Sequence, residues 1–479
     1  MDAQLPTDLA HLLEPAEQER LQATVARPLA PAIRINTLKT TVQAAADTWP
    51  ARYGWQTEPV PFCPSGWRVR AGGENLARTA EFKLGMFYIQ DAASMLPGEL
   101  FHLDAGSELL WLDLAAAPGG KTTHLVSRME DQGLVIANDS SSNRILPLRV
   151  NLQDWGATCA VVTQALGERW GAWFPEVFDR VLLDAPCSGQ SLRSAERRKS
   201  RPVTHRELEA LQAQQIRLLV SGFQALRPGG ELVYATCSLH PDENEAVLDA
   251  LLAHYPGAAE IAPISLLRAP TLLSFQGRHY DPAVGNALRL WPHLYDTAGF
   301  FAALVHKIDT VPVRREPHPV RPLSEAGYLP LRPREESDLC RQLLETHGFD
   351  LEGVLRHHRL ALWKRGPKVH ALPALYLEQF PDLPVISAGI LIGEWKGPAW
   401  VPSHELVCRF WSRFAAGRVT LSVEAGQRWL RGEELRDLPA GVAGPGGVVL
   451  VQDETGRPLG RGKLSGRRLR NLLPRRLVY

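Results

Sequence analysis

Two cysteines stand where long apolar runs end. Cys187 follows DRVLLDAP, Cys237 follows GGELVYAT, and Asp184 precedes the first thiol by three positions. Either cysteine alone reads as a small buried core residue, the commonest fate of a free thiol. Three reactive groups at matching strand ends shift that balance, because neighbouring strand ends of a parallel sheet converge on one ligand crevice. The chemistry that suits them is addition to an electron-poor ring. Carbon 5 of a pyrimidine is a poor nucleophile until something adds to carbon 6, and a thiolate is the side chain best suited to add reversibly. An acid near ring nitrogen 3 would stabilise the charge that develops. Asp184 could fill that role if desolvation kept it protonated, or if it relayed a proton.

A second constellation opens upstream. The apolar run LLWLDL leads into AAAPGGKTT, Ala115 to Thr123, directly before a helical pattern. Small residues there let backbone N–H groups approach a ligand at a strand end and a helix amino terminus. Gly120, Lys121 and Thr122 match the tail of a phosphate-binding loop, GxxxxGK[ST], but that pattern needs glycine where Ala115 stands. Asp139 ends the next apolar run, 19 positions beyond Gly120, where a carboxylate can accept hydrogen bonds from ribose hydroxyls. Each signal alone also fits a tight turn and a capping aspartate. Together they favour an adenosyl ligand over a triphosphate.

The elements that must position these groups are legible in outline. Between residues 106 and 309, near-continuous apolar runs (LLWLDL, GLVIAND, DRVLLDAP, GGELVYATCS) alternate with helix-period stretches, the longest from Thr204 to Leu226. That alternation predicts an α/β, doubly wound parallel sheet covered on both faces. Residues 1–105, with the alternating strand AIRINTL, predict a small α+β accessory domain. Residues 310–334, rich in proline, read as a semi-rigid linker. A mainly helical connecting domain is expected at 335–380, including the amphipathic ESDLCRQLLETHGF, and a Gly-rich, β-rich module at 381–479 with strand signals such as GVVLVQ.

A length of 479 residues suits about three folded units. The 45% hydrophobic and 22% charged content is that of globular proteins, which excludes a disordered or fibrous chain. Fifty-three basic against 52 acidic residues give +1, so a polyanion site must be local. The start MDAQLPTDLAHLL lacks a basic segment before an apolar core, and no run approaches about 18 uncharged apolar residues, so neither a secretory signal nor a membrane span is expected. The six cysteines (Cys63, Cys159, Cys187, Cys237, Cys340, Cys408) form no CxxC pair and predict free thiols in a reducing cytoplasm, with no metal site.

Taken in order, LDLAAAPGGKTTHL, VLLDAPCSG, YATCSLHPDENE and RLWPHLYDTAGFFAA resemble the motifs of the Nol/Nop/Sun family of RNA cytosine-C5 methyltransferases. The resemblance covers the central domain and implies a Rossmann-like methyltransferase core using S-adenosylmethionine. It implies that Ala115, Ala116, Ala117, Pro118, Gly119, Gly120 and Lys121 wrap the cofactor, that Asp139 holds its ribose, and that Arg144, Gln164 and Asp184 complete the cofactor site. Cys237 matches the family's nucleophile, and Cys187 matches the thiol that helps release the methylated product. One departure is VVTQALG, where the family commonly has an aspartate that contacts adenine and this chain offers Gln164 or Ala165. The ends, PAIRINTLK with GMFYIQDAASM and GILIGEWKGPAWVPSHEL with PLGRGKLSGRRLRNLLPRRL, resemble the amino-terminal domain and PUA-like RNA-binding region of the RsmF-type subgroup. That subgroup implies small-subunit (16S) ribosomal RNA or the 30S particle as partner, and we expect a monomer.

Two basic segments fit such a partner. Ser191 to Arg206 holds Arg193, Arg197, Arg198, Lys199, Arg201 and Arg206 against Glu196, and its place beside Cys187 favours phosphate contact over a solvated loop. The last 29 residues hold Arg457, Arg461, Lys463, Arg467, Arg468, Arg470, Arg475 and Arg476 against Asp453 and Glu454, either an RNA-facing surface or a solvated basic tail. A base in a duplex would be out of reach, so the target must be unpaired or flipped. Rival readings are a DNA cytosine-C5 methyltransferase with Cys187 as nucleophile, and a catalytically silent RNA-binding scaffold. Amino-group methylation of adenine would want a polar DPPY-like loop where DAPC stands.

Overall fold

The computed structural model describes residues 12–103, 108–192, 203–397, 399–436, 438 and 447–478. Its centre is a nine-stranded sheet. Strands β5 (Leu110–Asp113), β6 (Leu134–Asn138), β7 (Ala160–Thr163), β8 (Phe178–Asp184) and β9 (Leu226–Thr236) run parallel in the order 7-6-5-8-9. Two further strands, β10 (Ala259–Ala262) and β11 (Phe300–Lys307), extend the β9 edge antiparallel. The apolar runs are continuous because both faces of the sheet are covered. Leu112, Ile136, Val181 and Leu232 pack on one side, and Trp111, Val135, Leu182 and Val233 on the other. Strand order reverses between β6-β5 and β8-β9, so the carboxyl ends of β5 and β8 flank the switch point where such sheets bind ligands.

The helices that follow these strands end and begin as their sequences dictate. Helix α1 (Gly120–Arg128) starts at Gly119, whose φ of +107° is one that L side chains rarely adopt. A Cβ there would also come within 3.1 Å of Leu148 in α2 (Ser142–Trp155). Helix α3 (His205–Ala225) opens with a capping box in which Thr204 and Glu207 exchange hydrogen bonds, and it buries Leu208, Leu218, Leu219 and Phe223 against the sheet.

The amino-terminal unit is a four-stranded antiparallel sheet, β2-β3-β1-β4, of β1 (Ala32–Ile35), β2 (Gln56–Val60), β3 (Cys63–Ala71) and β4 (Phe87–Ile89). Its Arg34 is completely buried and reaches across to α1, donating to the Gly120 carbonyl at 2.8 Å and Thr123 Oγ1 at 2.7 Å. The accessory unit thereby braces the helix that carries the glycine loop.

Beyond the central sheet the organisation departs from the pattern in the sequence. The proline-rich stretch is docked rather than free: His318 stacks on Phe174, Arg321 N donates to the Asp382 carbonyl, and Leu323 and Tyr328 are buried. The expected boundary at 380/381 is crossed by one five-stranded sheet that joins Leu360–Arg365 and Lys368–Pro373 to Ile390–Lys396 and Ala399–Pro402. The segment 335–380 is therefore half hairpin, its β-rich part following two helices, Pro333–His347 and Leu351–His357. A separate four-stranded sheet spans Arg418–Leu421, Gly447–Asp453, Pro458–Ser465 and Arg468–Asn471. Among the described residues, no helix is long and apolar enough to cross a membrane.

Candidate active site

The loop after β5 is pinned from below. Ala116 N donates to the Asn138 carbonyl at 2.7 Å, and Ala117 N donates to Asp139 Oδ2 at 3.1 Å. Arg144 links the same parts, donating to the Ala117 carbonyl and lying 3.6 Å from Asp139. Residues 115–121, Asp139 and Arg144 are thus brought together. Gln164 lies exposed just past β7, where Asn138 bonds both the N–H and the carbonyl of Ala165 and fixes the turn beside Asp139.

Three carboxylates face this edge: Asp113 at the end of β5, Asp139 after β6 and Asp184 at the end of β8. Asp113 was not among the sequence candidates, although an acid closing an apolar strand was a visible signal. Its Oδ2 accepts from Thr122 Oγ1 at 2.6 Å, while its buried Oδ1 has no partner among the described residues. Burial pushes its carboxyl up to about 7, against the Thr122 bond and with the nearby charges of Asp184 and Asp139 adding to the rise. A cationic group would suit this acidic edge, whereas the amino end of α1, which no side chain caps, favours an anionic one such as a carboxylate.

Lys121 answers part of the same negative field. Its Nζ lies 2.6 Å from Asp184 Oδ2 and 5.5 Å from the Phe300 ring centre. Burial would lower this ammonium, but Asp184 overrides it and holds Lys121 above the usual lysine range.

The two thiols meet beside that pair. Cys187 Sγ and Cys237 Sγ are 3.2 Å apart, with Cys237 exposed and Cys187 half-buried. Cys237 sits below the ordinary thiol value, first through the hydrogen bond from Cys187 and then through the Lys121 charge, against burial and Asp184. Cys187 is held far above it by that same bond, by burial, and by the charges of Cys237 and Glu243. The two shifts run in opposite directions, so Cys237 is the thiol favoured to ionise and Cys187 the one favoured to keep its proton.

Of the basic segments, 193–202, with Arg193, Arg197, Arg198, Lys199 and Arg201, lies outside the described residues; Arg206 is exposed at the start of α3. In the tail, Arg457 pairs with Asp453 and Glu81, Arg468 with Glu434, and Arg476 with Asp154. Those three charges are spent on docking and surface pairs. Of the others, Lys463 and Arg470 lie directly opposite each other on adjacent strands and are exposed.

Rossmann-like topology, the glycine loop and the acidic strand ends define an S-adenosylmethionine-dependent methyltransferase. Comparison with known proteins makes the class specific. The family model described as 16S rRNA methyltransferase RsmB/F matches residues 101–306, flanked by the N-terminal domain of 16S rRNA methyltransferase RsmF at 3–92 and the methyltransferase RsmF PUA domain at 416–479. Ribosomal RNA small subunit methyltransferase F of Escherichia coli O7:K1 (strain IAI39) is 34% identical over 462 residues, covering 95% of this chain and 92% of that protein. The protein of the same description from Escherichia fergusonii is equally similar, at 34% over 95% of this chain and 92% of its own. A methyltransferase homolog protein from Pyrococcus horikoshii aligns with a TM-score of 0.54 at 34% identity, over 61% of this chain and 90% of that one. NSun6 from Pyrococcus horikoshii with SFG shares the fold, with a TM-score of 0.52 at 21% identity over 64% and 98% of the chains. The chain belongs to the RsmF branch of the 16S rRNA methyltransferase family RsmB/F.

Proposed function

We propose that the protein methylates carbon 5 of a cytosine in small-subunit ribosomal RNA through a covalent adduct between Cys237 and carbon 6. The observation that carries this reading is the pair of thiols 3.2 Å apart beside the Lys121–Asp184 pair. Bound S-adenosylmethionine supplies the electrophilic methyl group, and residues 115–121, Asp113, Asp139 and Arg144 are the groups that would hold it.

The chain's own groups account for the rest. The Cys237 thiolate adds to carbon 6 and makes carbon 5 electron-rich. The Lys121–Asp184 pair, beside the thiols, would supply polar partners for the ring nitrogen and exocyclic amine of the base. After carbon 5 has gained its methyl, its proton must leave to a base, the S–C6 bond breaks, and Cys237 departs as thiolate. Cys187 adjoins Cys237: once Cys237 is bonded to carbon 6 the interaction that keeps Cys187 protonated is lost, so Cys187 can release its proton to solvent and then take the proton from carbon 5. The target base must be unpaired or flipped to reach Cys237. The site suits free 16S RNA or the 30S particle, met by a monomer in the cytoplasm.

Mapping C5-methylcytosine in ribosomal RNA from cells lacking the protein tests the reading. At least one modified cytosine should disappear from the small-subunit RNA, and reappear on adding back the wild-type chain. An unchanged methylation map would overturn it.

A further inference from the structure

The motif YATCSLHPDENE contains two completely buried acids that the chemistry above leaves unused: Glu245 is matched by Arg289, and Glu243 meets no cation among the described residues. Glu243 ends the short 3-10 turn Pro241–Glu243 after β9 and is completely buried. Its carboxylate accepts four hydrogen bonds. Oε1 takes Ser188 N at 2.8 Å and Gln215 Nε2 at 3.1 Å, and Oε2 takes Ser188 Oγ and Ser238 Oγ, both at 2.5 Å.

The donors are informative by their places in the chain. Ser188 is the residue after Cys187, Ser238 is the residue after Cys237, and Gln215 also donates to the carbonyl of Pro186 at 2.9 Å. One carboxylate thus grips both thiol loops next to the thiols themselves. The turn that presents it is fixed in its own right: Tyr234 Oη donates to the Glu243 carbonyl, Asn244 Nδ2 donates to the Ser238 carbonyl at 2.9 Å, and Arg289 pairs with Glu245 in full burial. All four donors are neutral, so an apolar replacement would leave buried N–H and O–H groups without acceptors.

We propose that Glu243 is the positioning residue that holds the Cys187 and Cys237 loops in register, setting the separation on which attack by one thiol and release assisted by the other depend. The proposal rests on the function above for its catalytic consequence, but the spacing it describes can be read without any substrate. Misplacement of a reacting group by about 1 Å lowers turnover on the order of 100-fold.

The variants that separate geometry from charge are Glu243→Gln and Glu243→Ala. A glutamine can keep the network: its oxygen takes the Ser188 N–H and the Gln215 amide, and its NH2 meets the two hydroxyls, which rotate to accept. Alanine cannot. The substrate-free readout is the rate at which diamide links Cys187 to Cys237, located by mass spectrometry in the full-length chain. The catalytic readout is kcat on 16S RNA beside KM, with S-adenosylmethionine affinity from calorimetry.

Glu243→Ala should link the thiols at least tenfold more slowly and lower kcat about 100-fold, with cofactor affinity within twofold. Glu243→Gln should recover both rates to within about threefold. Should the alanine variant fold poorly, Ser188→Ala/Ser238→Ala removes two of the four donors and should slow linking by an intermediate factor. Wild-type linking rates in both Glu243→Ala and the double serine variant would overturn the proposal, as would a glutamine variant as impaired as alanine. Slowed linking in variants of a protein that methylates no cytosine would uphold the positioning role and remove the function above.

Discussion

Cys187 Sγ lies 3.2 Å from Cys237 Sγ, although the residues are 50 positions apart and leave different strands. The contact arises because β8 and β9 are parallel neighbours in a register that sets Asp184 beside Ala235. Chain continuing past each strand end then reaches the same point. Thiols at this distance titrate as a pair, and the hydrogen bond between them, followed by the Lys121 charge, favours ionisation of Cys237.

That division of roles predicts opposite behaviour for the two alanine variants. Cys237→Ala should lower turnover by at least about 10³-fold and form no RNA adduct, while binding S-adenosylmethionine nearly as wild type does. Cys187→Ala should transfer one methyl group and then accumulate a protein–RNA adduct stable to denaturing gels. The double variant should form none. A Cys187→Ala protein without adduct, where wild type turns over, would reverse the assignment toward Cys187 as the attacking thiol.

The lowered thiol of Cys237 gives a pH prediction with a definite sign. Its thiolate form grows as pH rises, so alkylation by iodoacetamide should rise with pH around a midpoint below the ordinary 9.0. The Cys187 hydrogen bond and the Lys121 charge both favour the thiolate. Cys187→Ala and Lys121→Met should therefore each move the midpoint to higher pH, the first by more. Midpoints unmoved in both variants would remove the stated cause.

Asp113 gives a stability prediction. Its carboxyl is raised from 3.8 to about 7, so between those values the folded protein holds a proton that the unfolded chain has released. The residue therefore destabilises the fold progressively as pH rises through that window, fully above about 7 and not at all below about 4. Asp113→Asn should gain stability relative to wild type by on the order of a few kcal/mol between pH 4 and pH 8. It should also bind S-adenosylmethionine more weakly, having lost the charge that the cation needs. Parallel melting curves at both pH values would contradict the assignment.

How much of this was legible in the sequence depended on the range of the interaction. The parallel sheet was legible because strands buried on both faces must be apolar throughout, as LLWLDL and DRVLLDAP are. The glycine loop and two of the three strand-end acids, Asp139 and Asp184, were legible because their places are set by where each strand stops, while Asp113, inside the apolar run LLWLDL, was not. The boundary near 380 was not, because LALWKR and KVHALP are short and their partner strand at 390–396 lies beyond a helix and a turn. The docked proline stretch was hidden for a similar reason: its composition says semi-rigid, and only Phe174, far upstream, shows that His318 has a seat. Glu243 stood in a recognised motif, yet its partners Ser188 and Gln215 lie 55 and 28 positions away, and no local pattern connects them.

The basic tail yields the last prediction, now narrower than its composition suggested. Arg468 is paired with Glu434 at 2.8 Å, and Arg457 and Arg476 hold the tail to the rest of the protein through Glu81 and Asp154. Neutralising those residues would disturb docking or surface pairs as well as any RNA contact. Lys463 and Arg470 are different: they face each other across β-strands, and like charges directly opposite are unfavourable unless an anion lies between them. Both are exposed and have no acidic partner among the described residues. A phosphate of the RNA backbone supplies that anion. Lys463→Ala/Arg470→Ala should weaken RNA binding at low salt and reduce the slope of log K against log salt by about 1.5, the value for two lost phosphate contacts. Methyl transfer at saturating RNA should be unchanged, because neither residue touches the thiols. Filter binding of 16S RNA across a salt series would check it, and an unchanged slope would return these two residues to a solvated surface.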